Sequence, residues 1–340
     1  MNLKYTPTDQ TLKTILLEYN ISDFTYKQSS DGIENTTIFV FSKNRNYVLR
    51  VYRLNSKTDA EIQTEIDFTY FLAENDFPVP EIYPNIHSKL LSKVNIDGQD
   101  WQVILMEKIH GIEIPQNEWV RDDELLENMA RTNNNLESLG NEFAGINQKK
   151  DYETKLSDSG VGKKLIQKLN QIKELEDLDG NLQNIISNIK STEYQYSNIL
   201  PSGYINDGVN WNNLILDEND WIYVIGFNDL RVGPIVSFIG TCFFTIILSA
   251  FELGDDIQKC LQKYIDEYCN VSDLWGVGLV DVMKPIELNL DLYLASEILR
   301  SKKMNSKIEN YLKLKNEISK LEFKEYYKDG LSWVAVILKD

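Results

Sequence analysis

Apolar residues recur at two different periods in this chain, and the change falls near residue 110. Up to Met106, the runs Tyr26–Gln28, Thr36–Phe41, Tyr47–Tyr52, Leu90–Val94 and Gln99–Met106 are short, rich in β-branched and aromatic residues, and separated by polar segments. They predict strands, the last two joined as a hairpin around Ile96, Asp97 and Gly98. Two stretches there read as helix. Residues 8–19 have Thr8 as a cap and Leu12, Ile15, Leu16 and Leu17 as the apolar face; Thr58 to Asn75 is stopped by Phe77, Pro78, Val79 and Pro80. From residue 122 the spacing turns helical, over 122–147, 163–175, 182–189, 235–251, 254–269 and 285–319. The expected class is α+β, bilobal, with an antiparallel β-rich lobe at 1–106 and a mostly helical lobe at 107–340.

Bulk properties narrow the functions. A formal charge of -17 argues against a nucleic-acid backbone as partner, although a local basic patch can still hold a phosphate. Three cysteines without metal-ligand spacing and only two histidines exclude zinc chemistry of the His/Cys kind and point to a reducing compartment, the cytoplasm. The first 19 residues lack a continuous apolar core, so no targeting segment is expected. Residues 232–251 carry no charge and reach membrane length, yet contain Gly233, Pro234, Ser237, Gly240, Thr241 and Ser249. A core helix is expected there, and no membrane span. The tail Leu331–Leu338, LSWVAVIL, reads as an added strand, a closing segment, or a surface through which copies associate.

The stretch 204–231 carries the chemistry. Asn210, Asn212 and Asn213 introduce the apolar run Leu214–Leu216, a polar turn Asp217–Asp220 follows, and a second run covers Trp221–Phe227. Two short strands with oxygens gathered at their ends suit phosphates and a divalent metal. This stretch resembles the catalytic and metal-binding segments of the aminoglycoside phosphotransferase family, the kinase-like group that includes choline and type II homoserine kinases. The family's first motif runs His-Gly-Asp, four residues, then Asn; the matching residues are Asn206, Asp207, Gly208 and Asn213. Its second, an apolar residue then Asp-Phe, reads Ile225, Gly226 and Phe227. Asp229, Leu230, Arg231, Gly233 and Pro234 match again, with Phe238 where an Asp is usual, and Asn147 ends the family's signature helix in place of His.

The resemblance implies a protein-kinase-like fold with ATP or GTP as cofactor. It also implies site residues in the first lobe. Arg50, after Leu49, stands where a strand Lys or Arg holds phosphates, and Glu65 stands where a helix Glu pairs with that cation; Glu61 is the competing acid. Gly32, Glu34 and Asn35 fall in the loop over the nucleotide, and backbone groups from Glu107 to Ile109 meet the adenine edge. Gly208 supplies no base and Gly226 no metal carboxylate, and the single neutral oxygen of Asn213 is a poor Mg²⁺ site. The favoured expectation is a pseudokinase-like binding or regulatory protein, with a small molecule or a protein as partner. Two alternatives stay open. One is an active small-molecule kinase whose carboxylates come from Asp207, by a one-residue slip, and from Asp229. The other is a scaffold that binds no nucleotide.

Overall fold

The computed structural model describes residues 7–29, 35–96, 98–114, 119–146, 180, 184, 202–206, 213–228, 230–271, 279–301, 305–328 and 331–338. Two compact units emerge: Met1–Glu113 with Asn213–Asn228, and Ile114–Asn212 with Asp229–Asp340. This differs from the division expected at 106/107, because the hairpin at 213–228 groups with the first unit.

In the first unit, β1 (Phe24–Gln28), β2 (Thr36–Ser42), β3 (Asn46–Val51), β4 (Ile82–Tyr83), β5 (Ser92–Ile96) and β6 (Gln99–Glu107) form one sheet of order β1-β2-β3-β6-β4, with β5 also on β6. All its pairings are antiparallel. Helices cover both faces, which is why β6 reads as a continuous apolar run. Val103 and Leu105 join Leu12, Ile15 and Leu16 of α1 (Asp9–Leu17) in one cluster. Ile104 and Met106 point the other way, to Ile62 and Ile66 of α2 (Asp59–Glu74). Helix α2 starts where its sequence says, with Thr58 as N-cap and Glu61 closing a capping box. The hairpin β9 (Leu214–Leu216) and β10 (Ile222–Val224) pairs with β7 (Ile112–Glu113), and Val224 N donates to Pro78 O at 3.0 Å. These bonds tie residues 213–228 to the first unit. Asp217 shapes the turn, accepting from Asn219 N at 2.9 Å and Trp221 N at 2.8 Å.

The second unit contains α3 (Asp123–Ile146), β8 (Ser202–Asn206), β11 (Leu230–Pro234), α4 (Ile235–Leu253), α5 (Ile257–Val271), α6 (Leu279–Ser301), α7 (Ser306–Lys320), β12 (Leu321–Lys328) and β13 (Leu331–Leu338). The uncharged stretch begins in β11 and continues as α4. That helix is long and apolar enough to cross a membrane, yet 89% of its most apolar window is buried inside the protein. It is a core helix. The expected single helical segment 285–319 is two helices, broken where Asn305 caps α7 and accepts from Ile308 N at 2.9 Å. LSWVAVIL pairs with β12, a strand not expected from the sequence, and Val336 N donates to Gln262 Oε1 of α5 at 2.7 Å. The expected helices at 163–175 and 182–189 fall almost wholly outside the described residues.

A polar seam joins α3 to α5. Asn133 Nδ2 donates to Tyr264 Oη at 2.7 Å, Asn134 Nδ2 to Tyr268 O at 3.0 Å, and Tyr268 Oη donates to Glu137. Burial lifts the Glu137 carboxyl from its ordinary 4.5 to about 7, against the Tyr268 bond that favours ionisation. A raised acid pKa means the fold prefers the protonated form. Its stabilising effect is complete below about pH 4.5 and is lost as pH rises through about 7. Glu137→Gln should therefore raise stability by about 3 kcal/mol near pH 8 and change little near pH 4. Urea midpoints of both proteins across that range check it; parallel curves would contradict it.

Candidate functional site

On β3, Leu49 and Val51 face the α1 cluster, so pleat alternation turns Arg50 to the opposite face, toward α2. There Arg50 donates from one nitrogen to Asn228 Oδ1 at 3.2 Å and from another to Ile225 O at 3.1 Å. Glu65 lies on the buried face of α2, between Ile62 and Ile66, and is only 4% exposed. Its carboxylate takes a hydrogen bond from Tyr52 Oη at 3.0 Å and an ion pair from Lys57. Burial raises the Glu65 carboxyl above its ordinary value, while Lys57 and Arg50 pull it back.

The expected direct Glu65–Arg50 pair is thus replaced. Arg50 acts on Glu65 through charge, and Lys57 from the loop before α2 makes the contact. Glu61 is excluded from that role by its own bonds, accepting from Thr58 N at 2.6 Å and Thr58 Oγ1 at 2.8 Å. Lys57 Nζ also donates to Asn228 O. Two cations, one of them paired with Glu65, therefore converge on the segment Ile225–Asn228. Asn35 joins them, its Nδ2 donating to Asn228 Oδ1 at 3.3 Å, and Phe227 packs edge-on against Phe68 of α2 at 5.5 Å.

Gly226 sits inside this segment. A Cβ built there would lie 2.9 Å from Asn213 Oδ1 and 3.0 Å from Asn213 Cγ, so the Asn213 carboxamide fills the space beside it. Ile225 N donates to Asn213 O at 2.9 Å, which fixes that proximity. Among the described residues no group of three or more His, Cys, Asp or Glu side chains could hold a metal. One neutral amide oxygen beside two cations does not fit Mg²⁺, a hard ion that favours carboxylates.

At the end of β6, Glu107 N donates to Glu81 O at 2.8 Å and Lys108 N to Asn46 O at 3.2 Å. Ile109, the next residue, is itself buried. In the second unit, Asn206 is buried on β8, paired in register with Leu230, and Phe238 is a fully buried core residue of α4. Asp207, Gly208, Asp229, Asn147, Gly32 and Glu34 lie outside the described residues.

Sequence reasoning missed Lys57 and Asn228. A lysine in a polar loop reads as a solvated charge. The available signal was Glu65 itself: flanked by Ile62 and Ile66 on a buried face, it required a cation nearby.

Residues 25–251 match the sequence profile of the phosphotransferase enzyme family, APH. No curated protein sequence matches the chain. Among solved structures, amicoumacin kinase hAmiN, in complex with AMP-PNP, Ca²⁺ and Ami, is 13% identical, with a TM-score of 0.67 over 91% of this chain and 92% of that one. A microcompartment-associated aminopropanol kinase is 16% identical, with a TM-score of 0.62 over 91% and 94%. Choline kinase LicA from Streptococcus pneumoniae is 11% identical, with a TM-score of 0.57 over 92% and 98%. At these identities the likeness shows a shared protein-kinase-like fold, and the profile match spans more than half the sequence: the chain belongs to the phosphotransferase enzyme family.

Proposed function

We propose that this chain is a nucleotide-binding, pseudokinase-like member of its family, with little or no phosphoryl transfer. One observation carries the reading. The position of the family's metal carboxylate is Gly226, its side-chain space is taken by the Asn213 amide, and two cations bind the same segment. Phosphoryl transfer depends on charge neutralisation at the phosphate oxygens and on an aligned acceptor. Gly208 offers no carboxylate for the acceptor proton. ATP or GTP is the ligand class that the family and the nucleotide-bound relative support. A small molecule or protein partner would read out the bound state.

A second reading, an active small-molecule kinase with a remodelled site, is favoured by the solved neighbours, which are kinases matched over more than 90% of both chains. ATP turnover of the unaltered protein across a panel of amino alcohols, aminoglycosides and amino acids separates the two. The expected rate is far below about 1 s⁻¹, the lower edge of the usual enzyme range. Turnover at or above that edge overturns the pseudokinase reading. Gly208→Asp with Gly226→Asp is expected to gain turnover, because it returns both missing oxygens once the Asn213 amide, the end of a side chain, swings aside. The melting temperature should rise with ATP, since a ligand of the folded state stabilises it. No rise would instead favour a scaffold without nucleotide.

A further inference from the structure

Lys57 and Arg50 enter the Ile225–Asn228 segment from different directions, one from the loop before α2 and one from β3. Each is held by more than one acceptor. Lys57 is bonded to Glu65 and to Asn228 O, and its side chain is 20% exposed. Arg50 is bonded to Ile225 O and Asn228 Oδ1. An ammonium has three donors and a guanidinium five, so neither cation is exhausted by these bonds. Glu65 neutralises one positive charge and leaves the other. The segment they hold is the one where the family places a metal-binding carboxylate, and here it is glycine.

The consequence follows from charge. Among the described residues, a divalent ion would have to settle beside two cations with one amide oxygen, that of Asn213, as its ligand. A polyphosphate meets the opposite situation, because the positive charge that a metal ion would bring is already built into the protein. We infer that Lys57 and Arg50 together stand in for the divalent ion, so that this chain holds nucleoside-triphosphate phosphates without Mg²⁺, with Lys57 as a phosphate-binding residue. The inference rests on the nucleotide-binding reading above and gives it a cation set. Lys57 contributes a compact ammonium, and Arg50 a planar fork for two phosphate oxygens.

Isothermal titration of the intact protein with ATP, once in Mg²⁺ and once in EDTA, tests it. The dissociation constant is expected to agree between the two conditions within about threefold. Lys57→Gln is expected to weaken binding by about tenfold or more in both, the loss of a charge-assisted bond. Lys57→Arg should retain most of the affinity. If Lys57→Gln unfolds because Glu65 is left unpaired, Lys57→Gln with Glu65→Gln removes both charges and takes its place. Lys43→Gln, which removes a surface charge paired with Asp23, should bind as the unaltered protein does. ATP binding that weakens about tenfold or more in EDTA overturns the inference and leaves nucleotide binding standing. Unchanged affinity in the doubly neutral variant removes Lys57 from the site. No ATP binding in either condition overturns the nucleotide-binding reading and this inference with it.

Discussion

Lys57→Met is expected to lower the unfolding free energy by about 3–5 kcal/mol, the usual loss when one partner of a buried ion pair is removed. The pair qualifies as buried, with side chains 20% and 6% exposed for Lys57 and Glu65. The effect should fall toward the lower end. Tyr52 still donates to the other carboxylate oxygen at 3.0 Å, and Arg50 still acts through charge. Lys57→Met with Glu65→Leu should recover most of the loss, because no charge is then stranded among Ile62, Ile66 and Tyr52. Urea midpoints at constant m-value give the double-mutant cycle directly. A single-variant loss under about 1 kcal/mol would mean that water screens the contact and that Glu65 has no need of Lys57.

Gly240→Leu is expected to be comparably damaging in the second unit. A Cβ at 240 would lie 2.2 Å from Pro285 Cβ and 3.1 Å from its Cγ, at the crossing of α4 and α6. A proline ring cannot swing aside, so the helices must part. Overpacking of this kind costs about 3 kcal/mol, or more where the backbone has to move. Gly145→Ala is the matched control on a helix, at a position where nothing lies within 4 Å of the added carbon. That change should stabilise the protein by about 0.5 kcal/mol through reduced backbone entropy of the unfolded chain. Thermal melts of the two variants should move in opposite directions. A neutral Gly240→Leu would show that α4 and α6 slide apart without penalty.

The class of fold was readable because each period had one structural interpretation. Alternation before Met106 produced the antiparallel sheet, and Thr58 with the Pro78–Pro80 stop bounded α2 to within one residue. Legibility failed where an element is short or its periodicity is weak. Strands β7 and β4 have two residues each, too few for any period, and β12 mixes charged residues with its aromatic ones, which weakens its alternation. The site was legible in proportion to how local it is. Arg50 and Glu65 stood out on their own strand and helix, and the structure places both against the same segment through Asn228 and Lys57. Their partners did not stand out, since which side chain reaches a buried acid is decided by the path of a loop. The Asn213 amide beside Gly226 was likewise beyond sequence, because it depends on how two strand ends approach across a turn.

The first unit is discontinuous, needing Asn213–Asn228 in addition to Met1–Glu113. This sets an order of events on the ribosome. When Glu113 has emerged, Arg50 and Lys57 already exist but the carbonyls of Ile225 and Asn228 that receive them do not. Strand β7 likewise waits for β9, and Phe68 for Phe227. Roughly 100 residues of the other unit must be made first, which at about 5–20 residues per second takes about 5–20 s. During that interval Glu65 and Lys57 have each other while the rest of the cation site stands open. A fragment ending at Glu113 would be arrested at that stage, so expression of the N-terminal piece alone should yield a chain without the Asn213–Asn228 edge that receives Arg50 and Lys57.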